Sequence, residues 1–253
     1  MYMKSDISTA VDAVKGAEHL SCFTGAGISV ESGISPFRGE NGLWNTYDPA
    51  LFEIDYYLQH PAESWPLMIR LFYETFEKAR PNRAHEVIAA LEQKSIFAGL
   101  ITQNIDNLHF RAGSRKLVEY HGNSRQLICT VCGRCYQVSR ELFDAPVPRC
   151  SCSGLLKPDF VFFGEDIPPN AVAESERIAS ETDVMLVIGT TGLVYPAALI
   201  PWTAKTRGTL IIEVNTTPSE YTDSITDIYL QGRAADIMNT IWQGQSQDRR
   251  MGG

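Results

Sequence analysis

The chain has 253 residues, 44% hydrophobic and 21% charged, a composition that suits a globular protein of one large domain or two small ones. Its apolar runs, such as Val184 to Ile188, are far shorter than the ~18 residues of a membrane span. A net charge of −8 with no local basic patch argues against nucleic acid as a direct partner. The first residues mix Lys4, Asp6 and Asp12 with short apolar pieces and lack the order of a secretory signal, so a cytoplasmic protein with no membrane partner is expected.

In chain order, Ala10, Val11, Val14 and Ala17 fall on one face of a helix over residues 9–19, and His19 to Phe23 read as a short buried strand. Thr24 to Gly33 forms a glycine-rich turn. Phe97 to Thr102, Val184 to Gly189 and Thr209 to Val214 are three further runs of core-strand length. Helical patterns occupy His85 to Lys94 and Ala171 to Ser180, and Ala234 to Trp242 closes the series. Strands alternating with helices predict an α/β fold, a parallel sheet covered on both faces. Two stretches interrupt the alternation, residues 37–80, which are helical and aromatic, and residues 123–160, which hold cysteine pairs. Both read as insertions that build a smaller module. Asp248 to Gly253 reads as a frayed tail.

Gly25-Ala26-Gly27 follows the first strand, where missing side chains let backbone N–H groups approach a pyrophosphate. The dinucleotide fingerprint asks for another glycine where Val30 stands, so the residues alone leave the motif open between a phosphate cradle and a plain tight turn. Gln103-Asn104-Ile105-Asp106 follows the strand ending at Thr102, at a carboxyl edge where ligands bind in such sheets. A second set of backbone donors comes from Gly189-Thr190-Thr191-Gly192, and Asn215 ends a further strand as a ribose ligand or a turn residue. His121 stands alone before Gly122 and Asn123 as a candidate general base, whereas His19, His60, His85 and His109 read as structural. Cys129 and Cys132, then seventeen residues, then Cys150 and Cys152 approximate a zinc-ribbon spacing, with Cys135 as an alternative ligand. Four thiolates would leave the metal no open position, so the zinc would be structural.

Taken together, Gly25-Ala26-Gly27-Ile28-Ser29, Phe37-Arg38-Gly39, Gln103-Asn104-Ile105-Asp106, His121-Gly122-Asn123, the cysteine pairs and Phe162-Phe163-Gly164-Glu165 resemble the sirtuin family of bacterial and archaeal type, from about Val14 to Ile237. The resemblance implies a single catalytic domain with a Rossmann-like sheet. Its large NAD-binding lobe would take residues 1–36, 81–122 and 161–245, and its small lobe residues 37–80 and 123–160. It implies an NAD-dependent protein lysine deacylase that gives nicotinamide, O-acyl-ADP-ribose and free lysine. By motif, Gly25, Ala26 and Gly27 would cradle the phosphates, Arg38 order the cofactor loop and Phe37 shield the ribose. Gln103, Asn104, Ile105 and Asp106 would bind the nicotinamide ribose and carboxamide, with His121 as the base. Gly189, Thr190, Thr191, Asn215 and Arg233 would face the adenosine half. Val161, Phe163, Gly164, Glu165 and Val194 would clamp an extended acyl-lysine peptide as an added strand.

Three departures from the family pattern carry expectations of their own. The Tyr-x-x-Arg pair of relatives that prefer acidic acyl groups is missing between Trp65 and Arg80, where Arg70 and Tyr73 occur in reverse order, so acetyl removal is favoured over succinyl or malonyl removal. Ser35 and Pro36 replace the usual proline and acidic residue of the cofactor loop. One residue separates Cys150 from Cys152 where two are usual. Rival readings are a protein mono-ADP-ribosyltransferase and a non-catalytic NAD or acyl-lysine sensor. The oligomeric state is not expressed in the sequence.

Overall fold

A computed structural model of the chain describes residues 4–39 and 42–247. Helix α1 (Lys4–Gly16) leads into β1 (Leu20–Thr24) and a 3-10 turn at Ala26–Ser32. The first insertion holds α2 (Ile54–Gln59), α3 (Pro61–Met68), a π turn at Ile69–Tyr73 and α4 (Glu74–Lys78). There follow α5 (Arg83–Glu92), β2 (Phe97–Thr102), α6 (Leu108–Ala112) and β3 (Leu117–Glu119). The second insertion is β4 (Gly122–Cys129), β5 (Cys135–Gln137), α7 (Arg140–Asp144) and β6 (Leu156–Phe160). The chain returns through α8 (Pro169–Glu181), β7 (Val184–Ile188), α9 (Leu199–Thr206), β8 (Leu210–Asn215), β9 (Ile228–Gln231) and α10 (Ala234–Gln247).

Six strands form one parallel sheet in the order β3-β2-β1-β7-β8-β9. The expected Rossmann-like architecture is present. Along β7, Leu186 and Ile188 enter the core under α1, α5 and α10, while Met185 and Val187 enter the opposite core under α8 and α9. Burial on both faces explains why the strands read as continuous apolar runs with no alternation. The chain direction across the sheet reverses between β1 and β7, whose ends Thr24 and Ile188 lie side by side. The loops leaving them diverge and open a crevice at the carboxyl edge.

The second sheet is antiparallel, β5-β4-β6. Its Leu127, Leu156 and Phe160 share one core with Tyr57, Trp65, Met68, Phe72 and Phe76 of the first insertion. The Tyr57 hydroxyl donates to the Leu156 carbonyl at 2.6 Å, and Phe72 meets Phe160 edge-on with centroids 5.4 Å apart. Two stretches distant in sequence thus bury each other's apolar faces.

Several boundaries differ from expectation. The first helix ends at Gly16, not at residue 19, because Glu18 and His19 turn their N–H groups onto the Asp183 carboxylate. Strands β3 and β9 were not expected; three and four residues are too short to show a period. Helix α9 hid behind Pro201, which sits in its first turn, where no intrahelical N–H is needed. The tail from Asp248 lies outside the described residues, and no helix among those described is long and apolar enough to cross a membrane.

Candidate active site

The glycines at the crevice are required by a close backbone approach. The Gly25 N–H donates to the Ile188 carbonyl and the Gly27 N–H to the Gly189 carbonyl at 2.8 Å. A Cβ on Gly27 would lie 2.7 Å from the Gly189 Cα, and one on Gly189, at φ +64, would lie 2.3 Å from the Ile28 nitrogen. This corrects the expectation that these glycines free their own N–H groups for phosphate. Two of those groups are spent on β7 and its following loop, and Ala26, first residue of the 3-10 turn, carries the N–H that the turn itself does not use.

Behind this turn lies a buried polar chain. The main-chain N–H of Asn82 donates to His85 Nδ1 at 3.3 Å, which places the ring proton on Nε2, 3.5 Å from the Ser29 hydroxyl. Burial holds the His85 pKa down at about 3, so the ring is neutral. Ser29, fully buried, therefore directs its own hydrogen to Asp106 Oδ2 at 2.7 Å. The Leu108 N–H donates to the other carboxylate oxygen at 2.8 Å. Burial raises the Asp106 pKa, and these two donors oppose the rise. Asn104 donates through Nδ2 to the Gly25 carbonyl at 3.1 Å, joining the loop after β2 to the glycine turn. Beside this chain His109 Nε2 lies 3.0 Å from the Thr24 hydroxyl, which donates to Thr102 Oγ1 at 2.8 Å.

His121 lies between β3 and β4. Its Nδ1 is 3.0 Å from the main-chain carbonyl of Gln103, which can only accept, so in the neutral ring the proton sits on Nδ1 and Nε2 keeps its lone pair. Burial lowers the pKa and the carbonyl opposes that shift, which leaves a neutral base at neutral pH. The Gln103 side chain donates to Thr190 Oγ1 at 3.1 Å, and Asn215 Nδ2 donates to the Thr190 carbonyl at 2.8 Å. Gln103, Thr190 and Asn215 are thereby gathered on one edge; Thr191 is exposed, and so is Arg233, which follows Gly232, whose N–H donates to the Asn215 carbonyl. Phe37 packs against Trp44 and Phe72, with centroids 5.2 and 6.4 Å away, as part of the insertion's aromatic core, and Arg38 is exposed.

The segment from Val161 to Glu165 leaves β6 beside this loop. The Val161 N–H donates to the His121 carbonyl at 2.9 Å. Phe163 spends both main-chain groups on Phe52 and Ile54, so one edge of this segment is already paired and an added strand would have to use the other. The Phe163, Leu193 and Tyr195 side chains are exposed, and Val194 is half-buried. Hydrogen bonds link Gly25, Gly27, Gln103, Asn104, Gly189, Thr190 and Asn215 at the carboxyl edge of the sheet, with His121 and Val161 joined on through Gln103, whereas Phe37 and Phe163 pack into the first insertion. To these are added Ser29, within the glycine motif, and Thr24, with His85 and His109 buried behind them in the structural role expected of both.

The four cysteines come together as expected, with Cys135 outside the group. Sγ atoms of Cys129, Cys132, Cys150 and Cys152 lie within 4.8 Å of one another, and the Cys129–Cys152 and Cys132–Cys150 pairs are 3.6 Å apart. Tetrahedral zinc with ~2.3 Å bonds to sulfur requires sulfurs roughly 3.8 Å apart, whereas a disulfide requires about 2.05 Å. The residues fit one zinc ion. The Cys150 thiol is pulled down to about 5 by the Cys152 N–H and the Tyr136 hydroxyl, which favours the thiolate that zinc binds.

The Sir2 family profile matches residues 25–196. A Pyrobaculum aerophilum protein named NAD-dependent protein deacylase 2 is 43% identical over 90% of this chain and 91% of its own length. A Sulfolobus acidocaldarius protein named NAD-dependent protein deacetylase is 40% identical over 92% of each chain. Among solved structures, a mutant Sir2 homologue in complex with ADP-ribose superposes with a TM-score of 0.90 at 35% identity, covering 96% of this chain and 98% of that one. A Sir2–p53 peptide–NAD+ complex superposes at 0.85 with 34% identity, over 96% and 98%.

Proposed function

The chain belongs to the Sir2 family, and from that membership we propose that it is an NAD-dependent protein lysine deacylase, yielding nicotinamide, O-acyl-ADP-ribose and free lysine. The observation that carries the reading is His121, a half-buried neutral imidazole whose Nδ1–H is fixed on the carbonyl of Gln103, first residue of the loop that carries Asn104 and the Asp106 carboxylate bonded to Ser29. The relatives' names and the ligands of the solved neighbours support it.

When bound, NAD would supply a sugar carbon from which the acyl-lysine oxygen displaces nicotinamide, with water finally taking the place of the lysine nitrogen on the acyl carbon. His121 Nε2, with its lone pair free, is the group that would accept the proton of a ribose hydroxyl. Asp106, which accepts hydrogen bonds from Ser29 and Leu108, and Asn104 orient the ribose and carboxamide with Gln103 and Ile105. Ala26 offers its N–H to the phosphates, Gly25 and Gly27 leave the room for their approach, Arg38 orders the loop, and Gly189, Thr190, Thr191, Asn215 and Arg233 hold the adenosine half. Phe37 keeps water from the reacting sugar. Val161, Phe163, Gly164, Glu165 and Val194 seat an acyl-lysine protein or peptide. Arg70 is exposed while Tyr73 is buried against Trp65 and Phe143, so the two form no joint carboxylate-binding pair and neutral acyl groups are favoured. The zinc held by Cys129, Cys132, Cys150 and Cys152 braces the small lobe, whose boundaries, residues 37–80 and 123–160, belong to the same proposal.

The test is to incubate the protein with an acetyl-lysine peptide, with and without NAD, and to follow peptide mass and nicotinamide. Equal amounts of deacetylated peptide and nicotinamide are expected, both abolished in His121→Ala. Nicotinamide release with a mass gain on protein would establish the transferase instead, and no NAD turnover with several acyl peptides would leave only a sensor.

A further inference from the structure

We propose that Lys157 is a positioning residue for the acyl-peptide substrate, acting through Glu165 on the turn that closes the peptide-binding segment; this rests on the deacylase reading and deepens it. The segment from Val161 to Glu165 is held at three places. At its start the Val161 N–H is bonded to the His121 carbonyl, and in its middle Phe163 is paired with Phe52 and Ile54. At its end, the Glu165 N–H donates to the Phe162 carbonyl at 3.1 Å, Glu165 Oε2 accepts the Phe162 N–H at 2.9 Å, and Gly164 turns the chain at φ +87.

That last anchor depends on Lys157. Its Nζ lies 3.0 Å from Glu165 Oε2 and also donates to the carbonyls of Pro158 at 3.1 Å and Phe160 at 2.9 Å, which uses the three ammonium hydrogens. The ammonium also lies 5.2 Å from the centroid of the Phe162 ring. The Lys157 and Glu165 side chains are only 12% and 23% exposed, so water screens the pair weakly and its geometry is well defined. Phe163 has spent its main chain on the Phe52–Ile54 edge, whereas Gly164 makes no main-chain hydrogen bond among the described residues, and the Lys157–Glu165 pair fixes the turn in which it sits. The Lys157–Glu165 pair itself touches neither the Gln103–Asp106 loop nor the glycine turn, and the segment meets that side only at its other end, through the Val161–His121 bond. Loss of Lys157 should therefore weaken peptide binding and spare NAD.

The test is steady-state kinetics of the full chain with an acetyl-lysine peptide and NAD, comparing wild type with Lys157→Met, Lys157→Arg and Glu165→Gln at equal zinc content. Lys157→Met is expected to raise the peptide KM about tenfold while the NAD KM and kcat change by less than about twofold. Lys157→Arg should restore most of the loss, and Glu165→Gln, which keeps an acceptor for the Phe162 N–H, should raise the peptide KM less. An unchanged peptide KM in Lys157→Met, or equal losses in both KM values and kcat, overturns the proposal. Should Lys157→Met fail to fold, an unchanged peptide KM in Glu165→Gln overturns it as well. Absence of nicotinamide release by wild type with the peptide defeats the deacylase reading itself, and Lys157 then positions no substrate.

Discussion

His85 and His109 carry no motif, yet both brace the site. Their rings lie 4.7 Å apart, one behind Ser29 and the other behind Thr24. Burial makes both neutral, with His85 down at about 3 and His109 well below the ordinary range. In the unfolded chain each takes up a proton near pH ~6.5. Below that pH the unfolded state binds protons that the native state refuses, so stability is fully present above ~6.5 and falls as the pH drops toward the folded values. Each histidine contributes a slope of ~1.4 kcal/mol per pH unit once the unfolded chain is protonated. Urea unfolding at about pH 7.5 and about pH 5 should show His85→Gln losing less stability on acidification than wild type, by about one proton's worth. Identical pH dependence in the two proteins would mean that His85 is not held neutral by the fold.

The cysteine spacing announced a metal site and left its fourth ligand open; the local backbone decides it. Cys129 accepts the N–H groups of Val131 and Cys132, while Ser153, at φ +69, and Gly154 compress the second turn so that Cys152 reaches the cluster across one intervening residue. A Cβ on Gly154 would meet the Cys129 sulfur at 2.7 Å. Cys135, at the start of β5, points its sulfur toward the Gly133 carbonyl, outside the group. Cys152→Ser should therefore lose the zinc and expose the module to proteolysis, whereas Cys135→Ser should retain one zinc per chain; equal loss in both would reinstate Cys135 as a ligand. Sequence legibility follows the same logic of local against distant contacts. The central strands β1, β2, β7 and β8 showed as apolar runs because both their faces are buried, and the edge strands β3 and β9 did not. Asn104, Asp106 and His121 were legible within motifs. Ser29 and its partner Asp106 are 77 residues apart, and no spacing rule links them.

The two modules meet where the chain passes from the Gln103–Asp106 loop to the zinc sheet, and a single guanidinium ties that junction. Arg125 on β4 pairs with Glu119 on β3 at 2.5 Å and donates to Asn107 Oδ1 at 3.0 Å, and its plane stacks 4.6 Å from the Phe110 ring of α6. Asn107 itself takes φ +65, an uncommon conformation for a residue other than glycine, and donates to the Ser124 hydroxyl at 2.6 Å. Ser124 in turn donates to the Ile105 carbonyl at 2.8 Å, so the small module reaches directly into the loop proposed to hold the nicotinamide ribose. Strain at Asn107 persists only while its surroundings over-determine it. Removing Arg125 should let the loop relax and raise the NAD KM by about tenfold, with a smaller effect on the peptide KM, the reverse of the pattern for Lys157. Arg125→Lys should not restore it, because a point ammonium cannot bridge Glu119 and Asn107 while stacking on Phe110. The measurement is the pair of KM values for Arg125→Ala and Arg125→Lys at equal zinc content. An unchanged NAD KM would show that the catalytic loop keeps its shape without the small module's grip.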